Sequence, residues 1–294
     1  MELSMSSLFS RKYVVSAVVV SSAIATMFTL PASAQAASFT LPPAGAGFDY
    51  QIGAPYDLPE GVAVVSRDWK QSPAAGAYNI CYVNGFQTQK AGESGGPETW
   101  DRNLLLKDST GNVAMDKEWA EAFLDITTPE KRDGVAAEIA KQIDTCASKG
   151  FQGLEIDNLD SYERSGGLIQ KADAEAYARI LSAYAHDKGL AVGQKNALGM
   201  ASDHVANGFD FAVTEECGAP PLDGGALGEP ECDMAVAAFG NLVFDVEYTD
   251  QGLGEACNVS GISVVRRDRA VLAPGGTGEV DGVTYNYERA TCSA

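Results

Sequence analysis

The chain has 294 residues, with 40 acidic against 21 basic side chains, a formal net charge of −19 and two histidines. That balance argues against nucleic acid and anionic membrane surfaces as partners. The length fits one barrel-sized domain, or two small ones, once a leader is set aside.

In chain order, Arg11 and Lys12 precede an apolar run from Tyr13 to Leu30, and Ala32-Ser33-Ala34 forms a small-residue cleavage pattern. Together they predict a secretory signal peptide over residues 1–34, with the mature chain starting near Gln35 or Ala36. No later segment approaches the ~20 continuous apolar residues of a membrane span. A secreted, extracellular protein is therefore expected, with no membrane partner. Residues 35–47, rich in small residues and proline, predict a linker, and residues 48–294 a single domain.

Strand-like runs recur at 48–53, 62–67, 78–84, 153–158, 190–196, 209–214, 242–248 and 262–266. Helical patterns fall at 119–123, 131–149, 172–188 and 233–239. The second places Val135, Ile139, Ile143 and Cys146 on one face, and the third does the same with Tyr177, Leu181 and Tyr184 before a stop at Gly189. Strands alternating with helices argue for an α/β fold with a parallel sheet, and eight strands predict a (β/α)8 TIM-type barrel. The early units are short, so some helices are expected to be shortened or replaced by loops. A doubly wound open sheet is the runner-up, but it lacks the expected glycine fingerprint.

In a barrel the carboxyl ends of the strands form one face, and chemistry collects there. That edge reads Gln51, Asp68, Asn84, Asp157, Asn158, Lys195, Asn196, Glu215, Glu216, Glu247 and Arg267. Cleaving a glycosidic bond takes one group to protonate the leaving oxygen and a carboxylate to attack or to activate water. Asp157 and Glu247, each ending a strand pattern, are the candidates for that pair. Singly, each is equally well a helix cap or an ion-pair partner, and Glu155, two residues before Asp157 on the same face, is the alternative acid. Lys195 suits a partner that keeps Asp157 ionised. Gln51, Tyr50, Asp68, Asn84, Asn158, Asp160, Lys195, Glu216 and Tyr248 are the candidate substrate-binding residues. The aromatics near these ends also include Tyr82, Phe86 and Tyr162, which suit the C–H face of a sugar but serve as readily in a core.

Other chemistries fit poorly. His186 reads as a helix-end residue, and there is no nucleophile elbow and no phosphate loop. The six cysteines show no metal-ligand spacing, and no metal or organic cofactor is implied. In an exported chain they predict three disulfides, expected as Cys81–Cys146, Cys217–Cys232 and Cys257–Cys292.

Five segments, in this order, carry a family resemblance. They are 79–84 (NICYVN), 150–162 (GFQGLEIDNLDSY), 185–190 (AHDKGL) running into 194–196 (QKN), 209–213 (FDFAV) with 215–217 (EEC), and 243–248 (VFDVEY). In them the chain resembles the endo-α-1,4-polygalactosaminidases, glycoside hydrolase family 114. The resemblance implies a secreted barrel enzyme that cuts inside α-1,4-linked galactosamine polymers, with its acids at Asp157 and Glu247. Ile156 stands where family members commonly have proline. A retaining mechanism is expected, with Asp157 as nucleophile and Glu247 as acid/base, in a monomer. A substrate with free amines is polycationic, which gives the negative charge a use. The alternatives are a saccharide-binding barrel without catalysis and a glycosidase for another α-linked polysaccharide.

Overall fold

The computed structural model describes residues 38–117, 119–219 and 231–292, so the expected signal segment lies outside the described residues. Eight parallel strands follow one another in sequence order around the sheet. They are β1 (Gly47–Tyr50), β2 (Val62–Asp68), β3 (Tyr78–Asn84), β4 (Gly153–Asp157), β5 (Ala191–Lys195), β6 (Phe211–Glu215), β7 (Val243–Glu247) and β8 (Ile262–Arg267). All eight coincide with the expected strands, and β8 curls back to lie against β1. The fold is a (β/α)8-type barrel.

The helices between the strands are uneven, as their sequences suggest. β1, β2 and β3 are joined without an α-helix, and a long loop leads from β3 to α1 (Pro129–Lys149). α1 starts where the Thr128 hydroxyl accepts from the Lys131 N–H and Pro129 takes the first position. It ends at Gly150, whose φ of 88° only glycine adopts without strain. Its buried face is Val135, Ile139, Ile143 and Cys146, the stripe read from the sequence. Four short or medium helices follow, α2 (Ser161–Arg164), α3 (Lys171–Asp187), α4 (His204–Asn207) and α5 (Glu231–Phe239), and then α6 (Asp250–Ala256). Residues 119–123, expected as a helix, are instead extended. Ala122 and Phe123 bridge to Met115 and Gln87, and Ala120 turns at φ 55°. Within this β3–α1 loop Ala122 and Phe123 are buried, whereas Trp119 is half-buried.

Strand parity sorts the side chains into two cores. Inside the barrel lie Phe48, Tyr50, Val64, Ile80, Phe211, Val213, Phe244, Val246 and Val265. Between sheet and helices lie Val83, Leu154, Ile156, Val192, Ala212 and Val243, packed on the apolar faces of α1 and α3. Each such buried side chain contributes about 1.5–3 kcal/mol. The inner packing is close: a Cβ on Gly193 of β5 would sit 2.5 Å from the Phe211 ring.

A hairpin of β9 (Thr277–Val280) and β10 (Val283–Asn286) precedes β11 (Arg289–Ala290), which pairs antiparallel with Arg267 and Arg266 of β8. Arg289 reaches Asp49 of β1 at 3.0 Å, so β11 bridges the seam between the first and eighth strands. The three expected disulfides are formed, Cys81–Cys146, Cys217–Cys232 and Cys257–Cys292. Of the expected linker, residues 38–46 lie against the barrel: the Phe39 ring stacks on His186 at 4.5 Å, and the Tyr78 hydroxyl donates to the Thr40 carbonyl.

Candidate active site

The inward-facing parity delivers Tyr50 from β1, Tyr82 from β3, Asp157 from β4, Lys195 from β5, Glu215 from β6 and Tyr248 just past β7 to one pocket of about 290 Å³. Lys195 is its centre. Its side chain is 1% exposed, and Nζ lies 3.2 Å from Glu155, 3.3 Å from Asp157 and 3.1 Å from Glu215. The rings of Tyr50 and Tyr82 flank the ammonium at 5.5 and 5.6 Å. Burial alone would lower the lysine pKa, but the three carboxylates raise it well above its ordinary value, so it is a fixed cation.

The three acids around Lys195 are not equivalent. Glu155 is sealed beneath the pocket, accepting from the Tyr50 hydroxyl at 3.0 Å and the Ser66 hydroxyl at 2.5 Å. Asp157 and Glu215 are 17% and 26% exposed and open to the pocket. Burial pushes the Asp157 carboxyl up, but it ends below its usual range. Lys195, the Tyr82 hydroxyl at 2.6 Å, the Asn158 N–H at 2.8 Å and Arg164 all favour its charged form. Glu215 accepts from the Tyr248 hydroxyl, and its own N–H donates to Asn196 Oδ1 at 2.8 Å.

The backbone that aims these acids is strained. β4, β5 and β6 are each followed by a residue with left-handed φ: Asn158 at 64°, Asn196 at 46° and Glu216 at 57°. Asparagine tolerates this region, whereas for glutamate it costs about 1–2 kcal/mol. Glu216 is held there by a two-pronged pair with Arg269 at 2.8 and 2.9 Å and by its N–H to the Val246 carbonyl. Strain of this kind collects at functional sites.

The rim completes the pocket. Arg164 bonds Asp160 at 2.7 Å, Asn158 at 2.6 Å and Asp116. Arg269 lies over the Tyr248 ring at 5.0 Å. Trp119 and Glu121 come from the β3–α1 loop. The Glu121 carboxyl accepts from Asn84 at 3.0 Å, and burial raises it to about 7.

Of the expected site residues, Tyr50, Asp157, Asn158, Asp160, Lys195, Glu216 and Tyr248 line this pocket, and Gln51, Asp68, Asn84 and Glu247 do not. Gln51 is fully buried and consumed by Asp49 and Arg67. Asp68 accepts from the Lys70 N–H as a turn residue. Asn84 sits behind the wall, joining Glu121 to Asn158. Glu247 falls on the outward face of β7, fully buried, with Oε1 accepting from the Gly218 N–H at 2.7 Å. Phe244, Val246 and Tyr248 take the inward face, so the expected position for Glu247 is off by one residue of strand parity. Glu215 was legible as a strand-end acid, whereas Glu121, Trp119, Arg164 and Arg269 lie on loops or a one-turn helix and carry no periodic signal.

Two acids that open to one pocket across a shared ammonium are suited to acid/base and nucleophilic work on a glycosidic bond. Residues 29–292 match the sequence profile of glycoside-hydrolase family GH114. Among solved structures the chain is similar to Aspergillus fumigatus Ega3 in complex with galactosamine, with 20% identity, a TM-score of 0.63, and 80% of this chain and 96% of that one covered. It is also similar to the glycoside hydrolase domain of PelA from Pseudomonas aeruginosa, with 17% identity, a TM-score of 0.51 and coverage of 78% and 96%. Both likenesses support the barrel fold. A comparison with curated proteins found no match. With nearly its whole described length inside the family match, the chain belongs to glycoside-hydrolase family GH114 and is a glycoside hydrolase.

Proposed function

We propose that this enzyme is secreted and cleaves α-1,4-linked galactosamine polymers at internal bonds, by a retaining mechanism in which Asp157 is the nucleophile and Glu215 the acid/base. The observation that carries this reading is the Asp157–Lys195–Glu215 arrangement. The carboxylate oxygens that share Lys195 lie no more than about 6.4 Å apart, short of the ~6.5–9.5 Å separation of inverting enzymes.

The contacts support each step. Lys195, Tyr82 and the Asn158 N–H keep Asp157 anionic, and its carboxylate attacks the anomeric carbon as Glu215, entering the step in its protonated form, gives that proton to the departing glycosidic oxygen. Once Asp157 is esterified, its negative charge is gone and Lys195 is left to the Glu215 carboxylate. That carboxylate then takes a proton from the water that attacks the ester. Tyr248 holds Glu215 in line throughout.

Galactosamine as the sugar is supported by family membership and by the galactosamine held by Ega3. The net charge of −19 would concentrate a polymer with free amines. Export is supported by the leader pattern and the three disulfides, and no helix among the described residues is long and apolar enough to cross a membrane.

The test is product release from partially de-N-acetylated α-1,4-galactosaminan by the wild type, Asp157→Asn, Glu215→Gln and Glu247→Gln. Oligomers from the wild type and from Glu247→Gln, with the other two nearly silent, are expected. Turnover by Glu215→Gln would move the acid/base role elsewhere, and a wild type that bound the polymer without cutting it would overturn the substrate.

A further inference from the structure

Among the carboxyls that this mechanism does not use, two are buried side by side. Asp245 and Glu247 are neighbours on the outward face of β7, and both are fully buried. Asp245 Oδ1 accepts from the Thr214 hydroxyl of β6 at 2.7 Å, and Glu247 Oε1 accepts from the Gly218 N–H just past β6 at 2.7 Å. Among the described residues, no donor reaches their other oxygens, Asp245 Oδ2 and Glu247 Oε2. A buried acceptor left without a donor costs about 1–3 kcal/mol, and more if charged.

No cation offsets them among the described residues. Arg266, the in-register neighbour of Glu247 on β8, gives its guanidinium to Asp250 and Glu288. From the β6 side the charged neighbour is Glu216, itself negative, and from α6 only Gly252 and the capping Thr249 crowd the carboxyl. The sulfurs of Cys217 and Cys232 lie within 4.8 Å of the Asp245 carboxylate, but they are joined to each other and offer no thiolate to a metal. What remains is a proton. The two carboxyls are next to each other on one face of the strand, and a single hydrogen held between them would satisfy both orphan oxygens at once.

The position of this pair gives it a task. Glu215 ends β6, Glu216 makes the strained left-handed turn, and Cys217 and Gly218 tuck behind β7. We propose that Asp245 and Glu247 share one proton and clamp Thr214 and Gly218 from behind, as positioning residues that hold the turn so that Glu215 faces Asp157. The clamp is fitted closely, since a Cβ on Gly252 of α6 would sit 1.9 Å from Glu247 Oε2. The positioning role rests on the assignment of Glu215 given above.

The sign of the pH dependence follows from burial, which raises both carboxyls and favours their protonated forms. Stability from the shared proton is present at low pH and is lost as pH rises through the upper titration of the pair, well above the ordinary carboxylate range. Glu247→Gln and Asp245→Asn replace the shared proton with an amide hydrogen that cannot leave.

The experiment compares kcat, KM and the unfolding midpoint against pH for the wild type, Glu247→Gln, Asp245→Asn, Glu247→Ala and Gly252→Ala, with Asp157→Asn as the inactive control. Glu247→Ala and Gly252→Ala are expected to lose kcat by on the order of 100-fold at nearly constant KM, the usual penalty for a displaced catalytic group. Glu247→Gln and Asp245→Asn are expected to keep kcat within a few-fold of wild type and to lose the alkaline fall of the midpoint. Full kcat in Gly252→Ala and Glu247→Ala would overturn the positioning role. The same alkaline fall in wild type and Glu247→Gln would overturn the shared proton. If Glu247→Gln were as silent as Asp157→Asn, Glu247 would be catalytic itself. A wild type that does not cut galactosaminan overturns the substrate reading, while the unfolding midpoints still decide the shared proton.

Discussion

Glu247 and Tyr248 are consecutive in the chain and lie on opposite sides of the barrel wall. The Tyr248 hydroxyl reaches into the pocket to Glu215, while the Glu247 carboxyl is buried behind it against Gly218. One residue of parity thus separates a side chain that touches the pocket acids from one that braces them.

Tyr248→Phe removes the hydroxyl that steadies Glu215 and leaves the ring against Arg269 in place. Its kcat should fall by roughly tenfold, less than the ~10²–10⁴-fold expected from losing the general acid itself in Glu215→Gln. Steady-state kinetics of both variants on one oligomer checks the order. A Tyr248→Phe loss as large as that of Glu215→Gln would make the phenol the proton donor.

Glu121 is the pocket carboxylate whose partner is a neutral amide, Asn84, rather than a cation. Its burial raises it to about 7, so the carboxylate form that would attract a substrate ammonium is lost as pH falls through about 7. KM for an amine-bearing polymer should rise over that window in the wild type, and Glu121→Gln should show a KM several-fold higher at neutral pH and flat across it. Fully N-acetylated oligomers should show neither effect. Parallel KM–pH profiles for the two proteins would remove Glu121 from recognition.

Lys195 neutralises the acids packed around it, and Lys195→Met should destabilise the fold by about 3–5 kcal/mol by stranding Glu155 in the interior. The pH dependence has a definite sign. Without the ammonium the folded-state carboxyls titrate higher, so the deficit should shrink as pH falls and they protonate. Thermal unfolding at neutral and mildly acidic pH measures it, and a pH-independent deficit would assign the loss to packing alone.

Most of the barrel was legible because its strands are short apolar or alternating runs closed by polar residues. In residues 153–158 Leu154 and Ile156 alternate with polar residues, and Asp157 and Lys195 were placed as the polar ends of such runs. Helix α1 was legible for another reason: its stripe of Val135, Ile139, Ile143 and Cys146 meets only one face of the sheet. The side of β7 was not legible, because both faces of a barrel strand are buried and an alternation of polar with apolar residues does not separate inside from outside. Asp245 and Glu247 are polar yet fully enclosed, so they imitate pocket residues in the sequence. In β6 the same count succeeds, since Phe211, Val213 and Glu215 share one parity and the first two fill the barrel. Residues 119–123 misled for want of length: five residues with Trp119 and Phe123 four apart satisfy a helical spacing that an extended, bridged segment satisfies as well.

The bond from Arg289 to Asp49 spans 240 residues. The first strand of the barrel is therefore closed against β11 across almost the whole described chain, and the Cys257–Cys292 bridge ties the residues just after β11 to the end of α6. Contacts of such separation form late and slow folding down. The seam between β1 and β8 should accordingly be the last part of the barrel to gain protection against hydrogen exchange.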